Sequence, residues 1–152
     1  MTTLKDRLHD DLTAAMRGRD EVRTATIRMA LAAVTTEEVA GKQARELSDD
    51  EIVTVLMREA KKRREAAEAF DTGGRPDRAE RERAELTVIE EYLPAQLTDE
   101  ELAALVAAAI AEAGATGPRQ LGQVMKLVGP RVGGRAEGSR VAGEVRRQLP
   151  AS

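Results

Sequence analysis

Apolar residues recur at helical spacing in seven blocks, separated by short polar, glycine or proline breaks. No stretch sustains period-two alternation, so no strand is predicted. The first helix runs from about Thr3 to Arg17, with Leu4, Leu8, Leu12 and Ala15/Met16 as a one-sided stripe and Gly18 at its end. Asp20 is a plausible cap for the second, from about Glu21 to Ala40 with Gly41 beyond. Its apolar positions spread from Val22 to Val34 over more than one stripe, which predicts contact on two sides and a central place. Ser48 and Glu51 form a capping box, with Leu47 and Ile52 as its hydrophobic staple. The third helix follows to about Phe70, with Ile52, Val55, Leu56, Glu59, Arg63, Ala66 and Phe70 inward. At ~1.5 Å per residue it is about 33 Å long.

The breaker cluster Asp71–Pro76 predicts a tight antiparallel hairpin with a fourth helix from Pro76 to about Tyr92. That register places Tyr92 near Leu56 and Phe70 near Ala79. Pro94 then stops the chain, and Thr98 with Glu101 restarts it as a capping box stapled by Leu97 and Leu102. The fifth helix spans about Asp99 to Ala113, with Gly114 at its end. The sixth spans about Pro118 to Val128 and is stopped by Gly129-Pro130. The seventh runs from Glu137 or Gly138 to Leu149. The expected fold is all-α: a four-helix unit with a long helical hairpin, residues 1–94, then a small three-helix domain, residues 95–152.

Composition supports this reading. Of 152 residues 34% are charged, and Phe70 and Tyr92 are the only aromatics, so the cores must be aliphatic. There is no cysteine, which excludes disulfides, thiolate nucleophiles and zinc fingers. The start of the chain lacks the apolar run of a signal peptide, and no segment has the ~20 apolar residues of a membrane span. A cytoplasmic location is expected. The net charge of −3 is uneven: residues 1–93 carry 17 Lys/Arg and 21 Asp/Glu, whereas residues 114–152 carry 7 Lys/Arg and only Glu137 and Glu144. A basic end on an acidic chain hints at an anionic partner.

Few residues suggest chemistry. His9 is the only histidine and, with no cysteine or second histidine, makes a poor metal site. The carboxylates Glu80, Glu82, Glu85, Glu90, Glu91 and Asp99–Glu101 read as solvated helix faces and first-turn acids. The basic run Arg58–Arg64 reads as a solvated face rather than a nucleic-acid footprint. Gly129-Pro130-Arg131-Val132-Gly133-Gly134-Arg135 is expected to be a glycine-rich loop between the last two helices. Its backbone N–H groups could cradle a phosphate, and Arg131, Arg135 and Arg140, with Lys126 nearby, could contact RNA phosphates. The alternative is a flexible connector. No Walker or dinucleotide-binding fingerprint is present, and no cofactor or metal is expected.

Several segments resemble the YqeY family. They are Ile27–Ala33, Leu47–Glu51, Arg63–Phe70, Tyr92-Leu93-Pro94-Ala95-Gln96-Leu97, Leu121–Met125 and Gly134-Arg135-Ala136-Glu137-Gly138. The resemblance covers nearly the whole chain. It implies an all-helical protein akin to the C-terminal tail of GatB, a subunit of the glutamine-dependent amidotransferase that corrects mischarged tRNA. The family-level activity is carbon–nitrogen ligation with glutamine as amido donor, but that chemistry resides in domains this chain lacks. The resemblance therefore implies a tRNA-binding accessory module without its own active site, partnered by tRNA and by amidotransferase or aminoacyl-tRNA synthetase proteins. Lys126, Arg131, Gly133, Gly134, Arg135 and Arg140 become the candidate tRNA-phosphate contacts. Two other readings stand beside it: a helical protein–protein adaptor, and an enzyme subunit completed by another chain. The family usually has Asp where Glu137 stands; Glu caps poorly, and Ser139 is the alternative cap, which would start the last helix later.

Overall fold

The computed structural model describes residues 2–151. Among them are seven α-helices and no strands: α1 Leu4–Arg17, α2 Glu21–Glu38, α3 Asp49–Thr72, α4 Pro76–Glu90, α5 Asp99–Ala113, α6 Leu121–Val132 and α7 Gly138–Gln148. The chain divides into two compact units, Met1–Leu93 and Pro94–Ser152.

In unit 1 the local start signals act as physics requires. The Ser48 hydroxyl accepts the Glu51 N–H at 3.2 Å, and the Glu51 carboxylate accepts the Ser48 N–H at 3.1 Å. Leu47 and Ile52 on either side are both buried. Thr3 and Asp6 form a similar box on α1, a signal the apolar pattern alone did not reveal. Of the Ala15/Met16 pair, Ala15 is buried while Met16 is half exposed. Gly18 caps α1 with φ −81°, and the left-handed residue of that turn is Arg19 at φ 55°.

α2 packs against α1, α3 and α4, so it is central. It stops at Glu38, two residues before the expected end at Ala40. The buried Glu38 carboxylate accepts Lys5 Nζ at 3.0 Å and the Leu47 N–H at 3.2 Å, which holds the end of α2 against the entry to α3. The α3–α4 hairpin closes through the Arg75 N–H on the Phe70 carbonyl (2.7 Å), Gly74 at φ 74° and Pro76 at the first position of α4. At the open end Tyr92 and Leu56 share the core with Leu8, Ile27, Ile52 and Ile89. At the closed end the Arg78 guanidinium lies 5.8 Å from the Phe70 ring. The two helices pack along each other as an antiparallel hairpin.

In unit 2 the Thr98–Glu101 box is made in both directions, at 3.1 and 3.0 Å. Leu97 and Leu102 enter the core together, and Gly114 ends α5 at φ 63°. The expectation for α6 is corrected. Gly129-Pro130 does not stop it; after a 3-10 turn at Pro118–Gln120, α6 runs through Pro130 to Val132. Pro130 removes one helical N–H, but Val124, Val128 and Val132 then lie four residues apart and are all buried. Three buried valines outweigh one lost bond near a helix end. Gly129 fits the same logic, because a residue before proline clashes through its Cβ when helical and glycine has none. α7 starts at Gly138 with Glu137 as the N-cap residue. Ser139 does not cap it; its hydroxyl donates to the Glu137 carboxylate at 3.0 Å. Val141, Val145 and Leu149 complete the core.

Candidate nucleic-acid interface

The glycine-rich segment is a structural clasp, not an open loop. Gly129–Val132 belong to α6, and Gly133–Arg135 form a 3-10 turn. Gly133 closes α6 at φ 58°, ψ −135°, backbone that only glycine takes easily, and its N–H returns to the Gly129 carbonyl. The Gly134 carbonyl accepts Gln96 Nε2 at 3.0 Å, and the same amide reaches the Pro94 carbonyl at 2.8 Å. The Arg135 carbonyl accepts the Leu97 N–H at 2.8 Å. The two most distinctive motifs of the chain, around Pro94-Ala95-Gln96-Leu97 and Gly134-Arg135, are therefore halves of one hydrogen-bonded fastening.

The candidate arginines are occupied. Arg131 pairs with Glu112 on α5. Arg135 donates to the carbonyls of Arg131 (2.6 Å) and Val132 (3.3 Å), capping the C-terminus of α6 where a cation is favoured. Arg140 donates to Asp99 at 2.8 Å. Of the four candidate cations, only Lys126 is exposed with neither a hydrogen bond nor an ion pair among the described residues. The electrostatic picture also changes on folding: α5 brings Asp99, Glu100, Glu101 and Glu112 into the unit. Residues 94–152 carry 7 Lys/Arg against 6 Asp/Glu, a balance of +1.

A second pattern emerges from α6 and α7, which pack on each other. Gly122 in the first turn of α6 and Gly143 in the middle of α7 are exposed glycines, and a Cβ at either would meet open space. Four residues after Gly122 stands Lys126; three residues after Gly143 stands Arg146. Both are exposed and form no ion pair among the described residues. Arg119 lies three residues before Gly122 and is likewise exposed. Glycine in a helix interior, as at Gly143, costs about 1 kcal/mol relative to alanine, and a Cβ would fit at either position. Composition alone could have flagged this, since glycine followed one turn later by a cation occurs in both helices.

Unit 1 buries Glu59 and Arg63, which the helical pattern places inward, and also Glu85, expected on a solvated face. Glu85 is 7% exposed, and burial pushes its carboxyl above the usual range, with the Arg63 charge opposing. Arg63, 4% exposed, donates to the Glu59 carbonyl at 3.1 Å and lies 3.4 Å from its carboxylate. Tyr92, under the Arg7 guanidinium, donates its hydroxyl to Asp11, and burial raises its pKa. Counting back four from Ile89 lands on Glu85, so helical spacing did carry that signal. No group of three or more His, Asp or Glu among the described residues is placed to hold a metal ion. No described helix is long and apolar enough to cross a membrane.

Fold and surface together define an all-helical protein of two compact units with a cation-bearing pair of helices in the second. The chain belongs to the YqeY family: the family model described as Yqey-like protein matches residues 5–149. No curated protein matches the chain.

Proposed function

We propose that this chain is a cytoplasmic, tRNA-binding accessory module related to the tail of the tRNA-dependent amidotransferase. It carries no active site of its own, and amidotransferase or aminoacyl-tRNA synthetase proteins supply the chemistry. The observation that carries the reading is the paired glycine-then-cation pattern of α6 and α7. A helix face bare of side chains lets a sugar–phosphate backbone approach closely, and Arg119, Lys126 and Arg146 are the cations available to meet it. The first turn of α7 adds backbone N–H groups that no side chain caps. Unit 2 has no aromatic residue, so base stacking contributes nothing and contacts are to phosphate and sugar.

Titration of labelled tRNA with the intact protein at several salt concentrations tests this. Binding should be tolerant of tRNA sequence and weaken steeply with salt. Lys126→Ala with Arg146→Ala should flatten the slope of log K against log[salt] by up to about two units. Absence of low-salt binding, or a double variant indistinguishable from the parent, would reject the reading.

A further inference from the structure

Between α2 and α3 lies an open groove of about 540 Å³. Met29, Ala32 and Ala33 of α2 and Val55, Arg58, Glu59 and Lys62 of α3 are among its lining, and Val55 and Glu59 are the buried ones. Met29 is 46% exposed, one of few large apolar side chains left to solvent. Just behind this lining sits Arg63. The two residues its guanidinium touches, Glu59 and Met29, both line the groove. Nη1 donates to Glu59, but Nη2 reaches only the Met29 thioether, at 3.7 Å, a weak acceptor. Its Nε is buried with no hydrogen-bond partner, alone in this among the described residues. A buried guanidinium N–H left unmade is costly and asks for an acceptor.

Charge and size narrow the occupant. Unit 1 as a whole is acidic, yet Arg58, Lys62 and Arg63 gather here against Glu37, Glu59 and Glu85, and burial pushes the Glu85 carboxyl toward its neutral form. The lining runs from Met29 to Glu37 on α2 and from Val55 to Lys62 on α3. At ~1.5 Å per residue that is about 11 Å, two helical turns. We propose that this groove docks an amphipathic α-helix of a partner protein, whose apolar side chains rest on Ala33 and Val55 and whose carboxylate displaces the Met29 thioether to pair with Arg63. Methionine suits the role of gate, being unbranched and adaptable. The proposal is independent of RNA binding by unit 2.

The test uses the full chain and two displayed libraries of roughly 14-residue amphipathic helices sharing one apolar face. One library carries glutamate beside that face and the other lysine. The glutamate library should enrich and the lysine library should not. A selected peptide should shift the Met29 ε-methyl resonance. Met29→Glu, which offers Arg63 a carboxylate from within, should weaken the peptide at least about tenfold without lowering the melting temperature. Ala32→Glu, at an exposed position, should do the same by repulsion. Equal enrichment of both libraries, or peptides indifferent to both variants, would overturn the proposal. So would glutarate alone moving the Met29 methyl and blocking the groove while no peptide is selected, since the site would then belong to a small dicarboxylate.

Discussion

The two units solve the same problem with different chemistry. Every buried polar or charged side chain among the described residues, Thr26, Glu38, Glu59, Arg63 and Glu85, lies in unit 1. The core of unit 2 is wholly aliphatic and alanine. Unit 1 fixes the order of its helices by ion pairs that join distant segments: Lys5 to Glu38, Arg23 to Glu91, Arg81 to Glu21. Unit 2 has two such pairs, Arg131 to Glu112 and Arg140 to Asp99, and adds caps and the clasp in which the Gln96 side chain and the Leu97 N–H meet the carbonyls of Gly134 and Arg135. A long four-helix unit can slide along its apolar stripes and benefits from charges that mark register. A three-helix unit with short helices has its ends close at hand, so hydrogen bonds at helix termini carry much of that task and its core needs no buried charge.

The sharpest way to break this contrast is Arg63→Ala. It strips a buried cation from Glu59 and Glu85 and should cost about 3 kcal/mol in a denaturant titration. The triple change Glu59→Leu, Arg63→Met, Glu85→Leu should hold or raise stability, because an apolar filling avoids desolvation altogether. No substitution in unit 2 should show that reversal. Next in size, Gly122→Ala with Gly143→Ala should stabilise unit 2 by at least about 1 kcal/mol, chiefly through Gly143, while weakening tRNA binding in the titration above. A gain in stability with unchanged binding would separate the glycines from RNA. Thr98→Ala should cost about 1 kcal/mol through loss of the α5 cap, seen as a lower denaturation midpoint.

The pH dependence is the smallest expected effect and has opposite signs in different carboxylates. Glu85 has a raised folded pKa. Its contribution is whole below the ordinary carboxylate value and is lost as pH rises through the folded value. Glu85→Gln should therefore raise the melting temperature, increasingly so toward neutral pH. Glu51, held at about 2 by Arg45 and the Ser48 N–H, and Glu144, held at about 2 by Arg147 and Gln148, act the other way. Their contributions are present above the ordinary value and disappear as pH falls toward 2. Melting curves of Glu51→Gln and Glu144→Gln across acid pH check the sign, and both should converge on the parent at low pH.

The sequence disclosed what is local and hid what is not. The caps at Ser48 and Thr98 and the glycine at 114 were legible because each depends on residues within a turn. The hairpin about Gly73–Pro76 was legible for the same reason. Pro130 misled because its local cost is plain, whereas the burial of Val128 and Val132 that overrides it is a tertiary fact. Arg135 invited a phosphate because nothing nearby in sequence hints that it caps its own helix. The Gln96–Gly134 bond spans 38 residues and has no local signature. Only Lys126 of the six candidate contacts kept an available charge, and Gly122, Gly143 and Arg146 became notable only once burial was known.

The position of the single tyrosine has a spectroscopic consequence. The chain has no tryptophan, and both aromatic residues, Phe70 and Tyr92, are in unit 1. Near-ultraviolet absorption, fluorescence and dichroism therefore report on one half of the molecule. With its hydroxyl on Asp11 and its ring under Arg7, Tyr92 is tied to α1 and loses both contacts when that helix leaves. Unit 2 is optically silent in this range. A heat-absorption scan sees both halves, so a calorimetric transition that tyrosine emission misses belongs to Pro94–Ser152.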